Sequence, residues 1–307
     1  MRVLVTGGAG FVGSNLVAHL LEQGHDPVVL DDLSAGARPE WWKRRGGPKC
    51  VEGSVEDPAA ARTAVRGVQG VVHLAAKPGV ADSVAHPEID FRVNVAGTFS
   101  VLDAARKAGT ERFVFASSGA VLAGARPPLR EDMAPAPLSP YGASKLYGEG
   151  IVAASGVFGM TGVSLRFANV YGPRCAHKKS AIALFLRLAE AGSPVTVYGT
   201  GRQTRDFLYI EDVCRAVERA LFASKPGVYH LGTGQETSVN ELVHSVEQVV
   251  GTRVKVERQP ARAGDASRSF VDLSAARRTL RWSPRVGLEE GLARTLAWMR
   301  AEAPGAQ

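Results

Sequence analysis

Thr6-Gly7-Gly8-Ala9-Gly10-Phe11-Val12-Gly13 follows the apolar run Arg2–Thr6 (RVLVT) and leads into Gly13–Gln23, which has apolar residues at helical spacing and stops at Gly24. The first run reads as a buried strand and the second as a helix. The glycines at 8, 10 and 13 therefore occupy a strand-to-helix turn. Glycine there permits a tight turn and lets the backbone approach a pyrophosphate. The helix start adds unpaired N–H groups and the positive end of a dipole. The next strand, Pro27–Leu30, ends in Asp31-Asp32. A carboxylate at that strand end accepts from both ribose hydroxyls of an adenosine and repels a 2′-phosphate, which predicts NAD rather than NADP.

Outward from this unit, Gly70–Ala75, Arg112–Ala116 and Val163–Phe167 are further short apolar runs separated by helical stretches. That alternation predicts βαβ units and a parallel sheet. After Asn169 the rhythm breaks, with a turn at Tyr171-Gly172-Pro173-Arg174. A helix is expected over Ala181–Ala191, a strand over Pro194–Tyr198, strand then helix over Phe207–Ala223, and a strand over Gly227–Leu231. Two or three amphipathic helices are expected within Ser238–Met299. The predicted fold is α/β: a Rossmann-type doubly wound parallel sheet with a smaller C-terminal α/β substrate lobe. Residues 1–168 form the first part, rejoined by about 206–231, and residues 169–307 mainly form the lobe. No repeat or low-complexity linker interrupts the chain, and Ala301–Gln307 reads as a loose tail.

The 307 residues suffice for a substantial core, with 45% apolar and 22% charged residues. The net charge of +7 comes mostly from scattered arginines, without a basic run or an aromatic-interleaved basic stripe. This predicts no nucleic-acid partner, and leaves a few arginines for an anionic small molecule. Cys50, Cys175 and Cys214 lack metal-ligand spacing, so no metal is expected and the thiols fit a reducing, cytoplasmic setting. No signal peptide and no membrane span are expected.

Tyr141 and Lys145 lie four apart in Ser139-Pro-Tyr-Gly-Ala-Ser-Lys145, with Pro140 at a helix start. A phenol with a pKa of ~10 is a poor base at neutral pH. A neighbouring ammonium and an oxidised nicotinamide would together lower it; ~3 units requires about 4 kcal/mol. Ser118 ends the strand that starts at Arg112, at the sheet edge where ligands bind. Its hydroxyl can share a hydrogen bond with the oxygen that Tyr141 deprotonates.

TGGAGFVGS (6–14), LDDLS (30–34), HLAA (73–76), NVAGT (94–98), SS (117–118), SPYGASK (139–145), RFANVYGPR (166–174), VYGTGRQTRDFLYIED (197–212) and ARAGD (261–265) follow one another in this order. In this the chain resembles the NAD-dependent epimerase/dehydratase family of extended short-chain dehydrogenases/reductases over about residues 1–300. Within the family it is similar to the branch that epimerises UDP-glucose or UDP-glucuronate at C4.

The resemblance implies that Ser118, Tyr141 and Lys145 are catalytic. It implies a cofactor groove lined by Gly7, Gly10, Phe11, Val12, Gly13, Asp31, Asp32, Leu33, Ser34, Ser54, Val55, Leu74, Ala75, Ala76, Asn94 and Phe167, with Tyr141 and Lys145 reaching the nicotinamide end. Ser83, Ser118, Tyr141, Asn169, Tyr198, Arg205, Arg262 and Ser269 would face the UDP-sugar, with Arg205 and Arg262 as forks on the diphosphate. It also implies a homodimer built on the long helices around 88–107 and 141–155.

Three departures narrow the reading. Ser54 stands where an acidic residue usually faces the adenine, with Asp57 as the available substitute. Gly119 and Ala120 follow Ser118 where relatives that eliminate water carry an Asp-Glu pair and decarboxylating ones a Glu. Neither residue moves a proton, which disfavours dehydration and decarboxylation. Ser269 is small where some epimerases carry a bulky residue that excludes large C2 groups, so N-acetylated sugars would fit. The expected function is an NAD-dependent UDP-sugar 4-epimerase, with UDP-glucose, UDP-glucuronate or a UDP-N-acetylhexosamine as substrate and a transient 4-keto sugar. A dehydratase, decarboxylase or reductase of the same family stays open as an alternative, and so does a non-catalytic NAD-sensing protein.

Overall fold

Val3, Leu4 and Val5 are fully buried in the strand Arg2–Thr6 (β1), which is paired in parallel on both edges. In this computed structural model, residues 1–36, 38–175, 180–261 and 266–302 are described. From β1 the chain runs through the helix Phe11–Glu22 (α1) and the strands Asp26–Asp31 (β2) and Lys49–Glu52 (β3). The helix Pro58–Ala64 (α2) and the strand Gly70–His73 (β4) follow. Next come the short helices Val80–Ala85 (α3) and Pro87–Asp90 (α4), a π-helical segment Phe91–Gly97, and the helix Thr98–Lys107 (α5). The strand Arg112–Ser118 (β5), the helix Pro140–Ala154 (α6) and the strand Thr161–Phe167 (β6) complete the first part.

The second part contains the strand Asn169–Tyr171 (β7), the helix Ala181–Glu190 (α7) and the strand Val195–Tyr198 (β8). The strands Thr204–Arg205 (β9) and Phe207–Tyr209 (β10), the helix Ile210–Leu221 (α8) and the strand Gly227–Leu231 (β11) follow. The strand Thr237–Ser238 (β12), the helix Val239–Val250 (α9), the strand Val256–Gln259 (β13) and the helices Ser274–Leu280 (α10) and Leu288–Ala301 (α11) end the described chain.

The central sheet has seven parallel strands in the order β11-β6-β5-β4-β1-β2-β3. The winding reverses beside β1, and the carboxyl ends of the strands at such a switch point are where Rossmann folds bind their ligands. The two expected strands that flank the glycine turn both form, β2 running one residue further at each end. β3 was not foreseen from the sequence. Its four residues, KCVE, hold two apolar residues between two charged ones and carry too little pattern to stand out.

Among the described residues the smaller lobe holds three two-stranded sheets: β10 with β7, β12 with β9, and β13 with β8. Of residues 206–231, β11 joins the central sheet while β10 pairs in the lobe. Local chemistry fixes the helix starts. Ser139 caps α6 by accepting from the Gly142 amide, with Pro140 in the first turn, and Ser238 and Glu241 form a capping box on α9. Among the described residues no helix is long and apolar enough to cross a membrane.

Candidate active site

The glycine turn is shaped by backbone contact. Gly7 has φ +68°, and a Cβ there would meet the Ala75 backbone at 2.8 Å. A Cβ at Gly13 would strike the Gly7 carbonyl, so α1 can start this close only with glycine. At Gly10 a Cβ would meet only the Gly7 oxygen, at 3.3 Å, so the space above the turn is open. Gly10 is the N-cap of α1 and no side chain caps it. An open cradle over an uncapped start of a twelve-residue helix fits a dinucleotide pyrophosphate.

Asp31 closes one side. Its carboxylate accepts from the Ala9 amide at 2.8 Å and the Leu33 amide at 2.7 Å. Burial raises its pKa above the usual carboxylate value, against these two hydrogen bonds. Asp32 accepts from the Ser34 amide at 3.0 Å, and Lys77 Nζ donates to the Ser34 hydroxyl at 2.9 Å. Beyond β3, Ser54 Oγ accepts from the Glu56 amide and Val55 is buried. Asp57 caps α2 by accepting from the Ala59 amide, so its carboxylate is already engaged.

Leu74, Ala75 and Ala76 leave β4 half-buried. The amides of Leu74 and Ala75 donate to Thr6 Oγ1 at 3.2 Å each. Beneath them His73 is sealed between Thr6 and Thr98, Nδ1 2.8 Å from one hydroxyl and Nε2 3.0 Å from the other. Burial, helped by the Lys145 charge, pushes its pKa down to about 3, so it is neutral. Asn94 ties the next segment down: Oδ1 accepts from the Lys77 amide at 2.8 Å, and Nδ2 donates to the Lys77 carbonyl and to Asp90.

Ser118, Tyr141 and Lys145 are brought together. Ser118 ends β5, and its hydroxyl is hydrogen-bonded to the Tyr141 phenol and accepts from the Ala120 amide at 3.2 Å. Lys145 Nζ lies 5.7 Å from the Tyr141 ring centre and donates to the Ala116 carbonyl at 2.9 Å. Packing adds opposing effects that the sequence does not display. Burial raises the Tyr141 pKa, the Ser118 hydrogen bond lowers it, and Asp90 raises it again. Burial also pushes Lys145 down to about 8, with Asp90 opposing. Ser83 is buried, and its hydroxyl donates to the Val80 carbonyl and accepts from the Tyr141 amide at 3.1 Å. It therefore orients the start of α6. Gly119 and Ala120 lie in a 3-10 turn, where they offer no titratable side chain.

On the lobe side, Asn169 leaves β6 through β7 and donates to the Asp206 carbonyl from its amide and from Nδ2. Arg205 on β9 donates from Nη1 to the carbonyls of Thr204 and Ala266 at 2.7 Å each. Tyr198 ends β8, and Phe167 and Ser269 are half-buried. Arg262 lies outside the described residues.

Sequence reasoning missed a buried set under the trio: Ser117, Glu149 and Arg166. A signal was available. Glu149 continues the Tyr141–Lys145 face by one more turn, and Arg166 puts a charge into a buried strand.

The glycine turn, the acidic strand end and the Ser–Tyr–Lys trio at one sheet edge define an extended short-chain dehydrogenase/reductase that uses a dinucleotide. The chain belongs to the NAD dependent epimerase/dehydratase family, whose family model matches residues 3–232. It is 38% identical to the UDP-glucose 4-epimerase of Mycolicibacterium smegmatis over 98% of this chain and 99% of that one. A Thermotoga maritima UDP-glucose 4-epimerase solved with UDP-glucose superposes with a TM-score of 0.92 at 34% identity, covering 98% of this chain and 99% of the other. The Thermus thermophilus UDP-glucose 4-epimerase in complex with NAD gives 0.90 at 37% identity, covering 98% and 100%.

Proposed function

We propose that the chain is a UDP-sugar 4-epimerase that uses bound NAD and passes through a transient 4-keto sugar. The observation that carries the reading is the Ser118–Tyr141–Lys145 trio followed by Gly119 and Ala120. The trio can take and return the proton of a hydroxyl whose carbon would exchange a hydride with NAD, while the two following residues give no acid or base for losing water or CO₂.

NAD supplies reversible hydride acceptance when bound. Residues Gly7, Gly10–Gly13, Asp31–Ser34, Ser54, Val55, Leu74–Ala76, Asn94 and Phe167 would hold it. Tyr141 takes the 4-hydroxyl proton and gives it back. Ser118 shares that proton's hydrogen bond and fixes the oxygen. Lys145 favours the phenolate by its charge. Asn169, Arg205 and Arg262 would grip the diphosphate, and Tyr198 the base. The sugar can then turn while the nucleotide stays fixed. Residues 1–168 serve the cofactor and 169–307 mainly the UDP-sugar. Ser269 leaves room at C2 for an N-acetyl group.

The active form in this reading is a homodimer. Phe91, Phe99 and Tyr147, on the two long helical segments, are exposed large apolar side chains, at 60%, 53% and 38%. A soluble monomer rarely leaves such a group uncovered.

The test is to incubate the pure protein with UDP-glucose, UDP-glucuronate and UDP-N-acetylglucosamine and follow each by proton NMR. The C4 epimer of one of them, formed without added reductant, is expected. A 4-keto-6-deoxy product, CO₂ release or stoichiometric NADPH use would replace the reading with its dehydratase, decarboxylase or reductase alternative.

A further inference from the structure

One face of α6 carries Tyr141, Lys145 and Glu149 on successive turns. Each side chain meets one of three consecutive residues of β5. Tyr141 is hydrogen-bonded to Ser118, Lys145 donates to the Ala116 carbonyl, and the Ser117 hydroxyl donates to Glu149. The Glu149 carboxylate is also held in a fork by Arg166 of β6, Nε to Oε1 and Nη2 to Oε2 at 2.8 Å each. Both side chains of this pair are nearly sealed from water, 6% and 4% exposed. The close approach needs glycine: a Cβ at Gly148 would enter the Phe115 ring, and one at Gly142 would meet the Ala120 carbonyl at 2.7 Å.

We propose that Glu149, clamped by Arg166 and Ser117, is a positioning residue that fixes the register of α6 on β5. It thereby sets how Tyr141 and Lys145 face Ser118. The inference rests on the epimerase reading for its kinetic consequence. Apolar packing alone would fill the same space, and burying an ion pair carries a desolvation cost. What the pair adds is direction: a bidentate fork and a third bond lock the carboxylate in one place. Its third bond goes to Ser117, the neighbour of Ser118. A shift of about 1 Å there is enough to cost ~10²-fold in rate.

The test compares NAD-loaded wild type with S117A, S117T and E149Q. S117A leaves the Glu149–Arg166 pair whole, so it keeps the test open if E149Q fails to fold. Expected are a kcat at least about tenfold lower in E149Q and roughly threefold lower in S117A, with KM for the UDP-sugar and bound NAD per chain unchanged. S117T should recover most of the rate. A substrate-free readout is the Tyr141 phenol titration, taken as the ultraviolet difference between each protein and its Tyr141→Phe counterpart. The charges facing Tyr141, Lys145 on its own helix and Asp90 on α4, are untouched in S117A. A shift of at least ~0.5 pH unit in S117A therefore reports geometry. Unchanged kcat and an unchanged phenol in folded S117A and E149Q would overturn the inference. So would rate losses that only track lost NAD or lost folded protein. A phenol shift in a protein that turns over no UDP-sugar would instead sink the epimerase reading and leave the positioning role standing.

Discussion

The Asp31 carboxylate accepts a hydrogen bond from the Ala9 amide at 2.8 Å, tying the end of the second strand to the glycine turn. In the proposed function the same carboxylate reads the adenosine ribose. Asp31→Ser should weaken NAD binding about tenfold to a hundredfold, the worth of charge-assisted hydrogen bonds of ~1.5–3 kcal/mol. The loss should be smaller for NADP, because the repelling charge is gone. Titration of both dinucleotides into the cofactor-stripped protein measures this; an unchanged NAD-to-NADP preference would count against Asp31 as the selector.

Tyr141→Phe should abolish turnover while bound NAD stays near one per chain. Lys145→Met should lower kcat by roughly 10²–10⁴. The sign of its pH effect follows from charge. Burial already raises the Tyr141 phenol, and removing a cation raises it further, so the acid limb of the kcat profile should move to higher pH. A limb that moves to lower pH would show that Lys145 does not act on the phenol.

Two buried histidines predict acid lability. His73 and His230 are held at about 3 when folded, both through burial first, against 6.5 in an unfolded chain. Both are neutral above 6.5, where stability is intact. As pH falls from 6.5 toward 3, the unfolded chain takes up two protons that the native chain refuses. Stability should drop by up to ~2.7 kcal/mol per pH unit and level off near 3. Urea midpoints at pH 7.5, 5.5 and 4.5 check the slope, and His73→Gln should roughly halve it.

Phe99→Glu should convert the proposed dimer to monomer in sedimentation velocity with the fold intact. A wild-type chain that sediments as a monomer at micromolar concentration would remove the interface altogether.

Much of the site was legible because its parts are local. The glycine turn, Asp31 and the Tyr141–Lys145 spacing each sit inside one strand–helix unit, where periodicity and turn chemistry speak directly. The Ser118 position followed from a strand end. What escaped reading depends on contacts between distant segments. Arg166 looks like a misplaced charge until Glu149 is beside it, and His73 like any histidine until Thr6 and Thr98 close over it. The phenol's raised pKa was hidden for the same reason, because burial is a property of the packed whole. β3 was lost to its brevity.

The outermost strand at one end of the sheet, β11, comes from residues 227–231, long after its neighbour β6 at 161–167. On the ribosome, β6 therefore emerges as an open edge and stays so while some sixty residues are made. An unpaired, apolar edge of that kind is a template for association between nascent chains. A message truncated before codon 227 would thus yield an aggregation-prone fragment rather than a half-active one. The central sheet therefore reaches its full width only after some sixty residues beyond β6 have been synthesised.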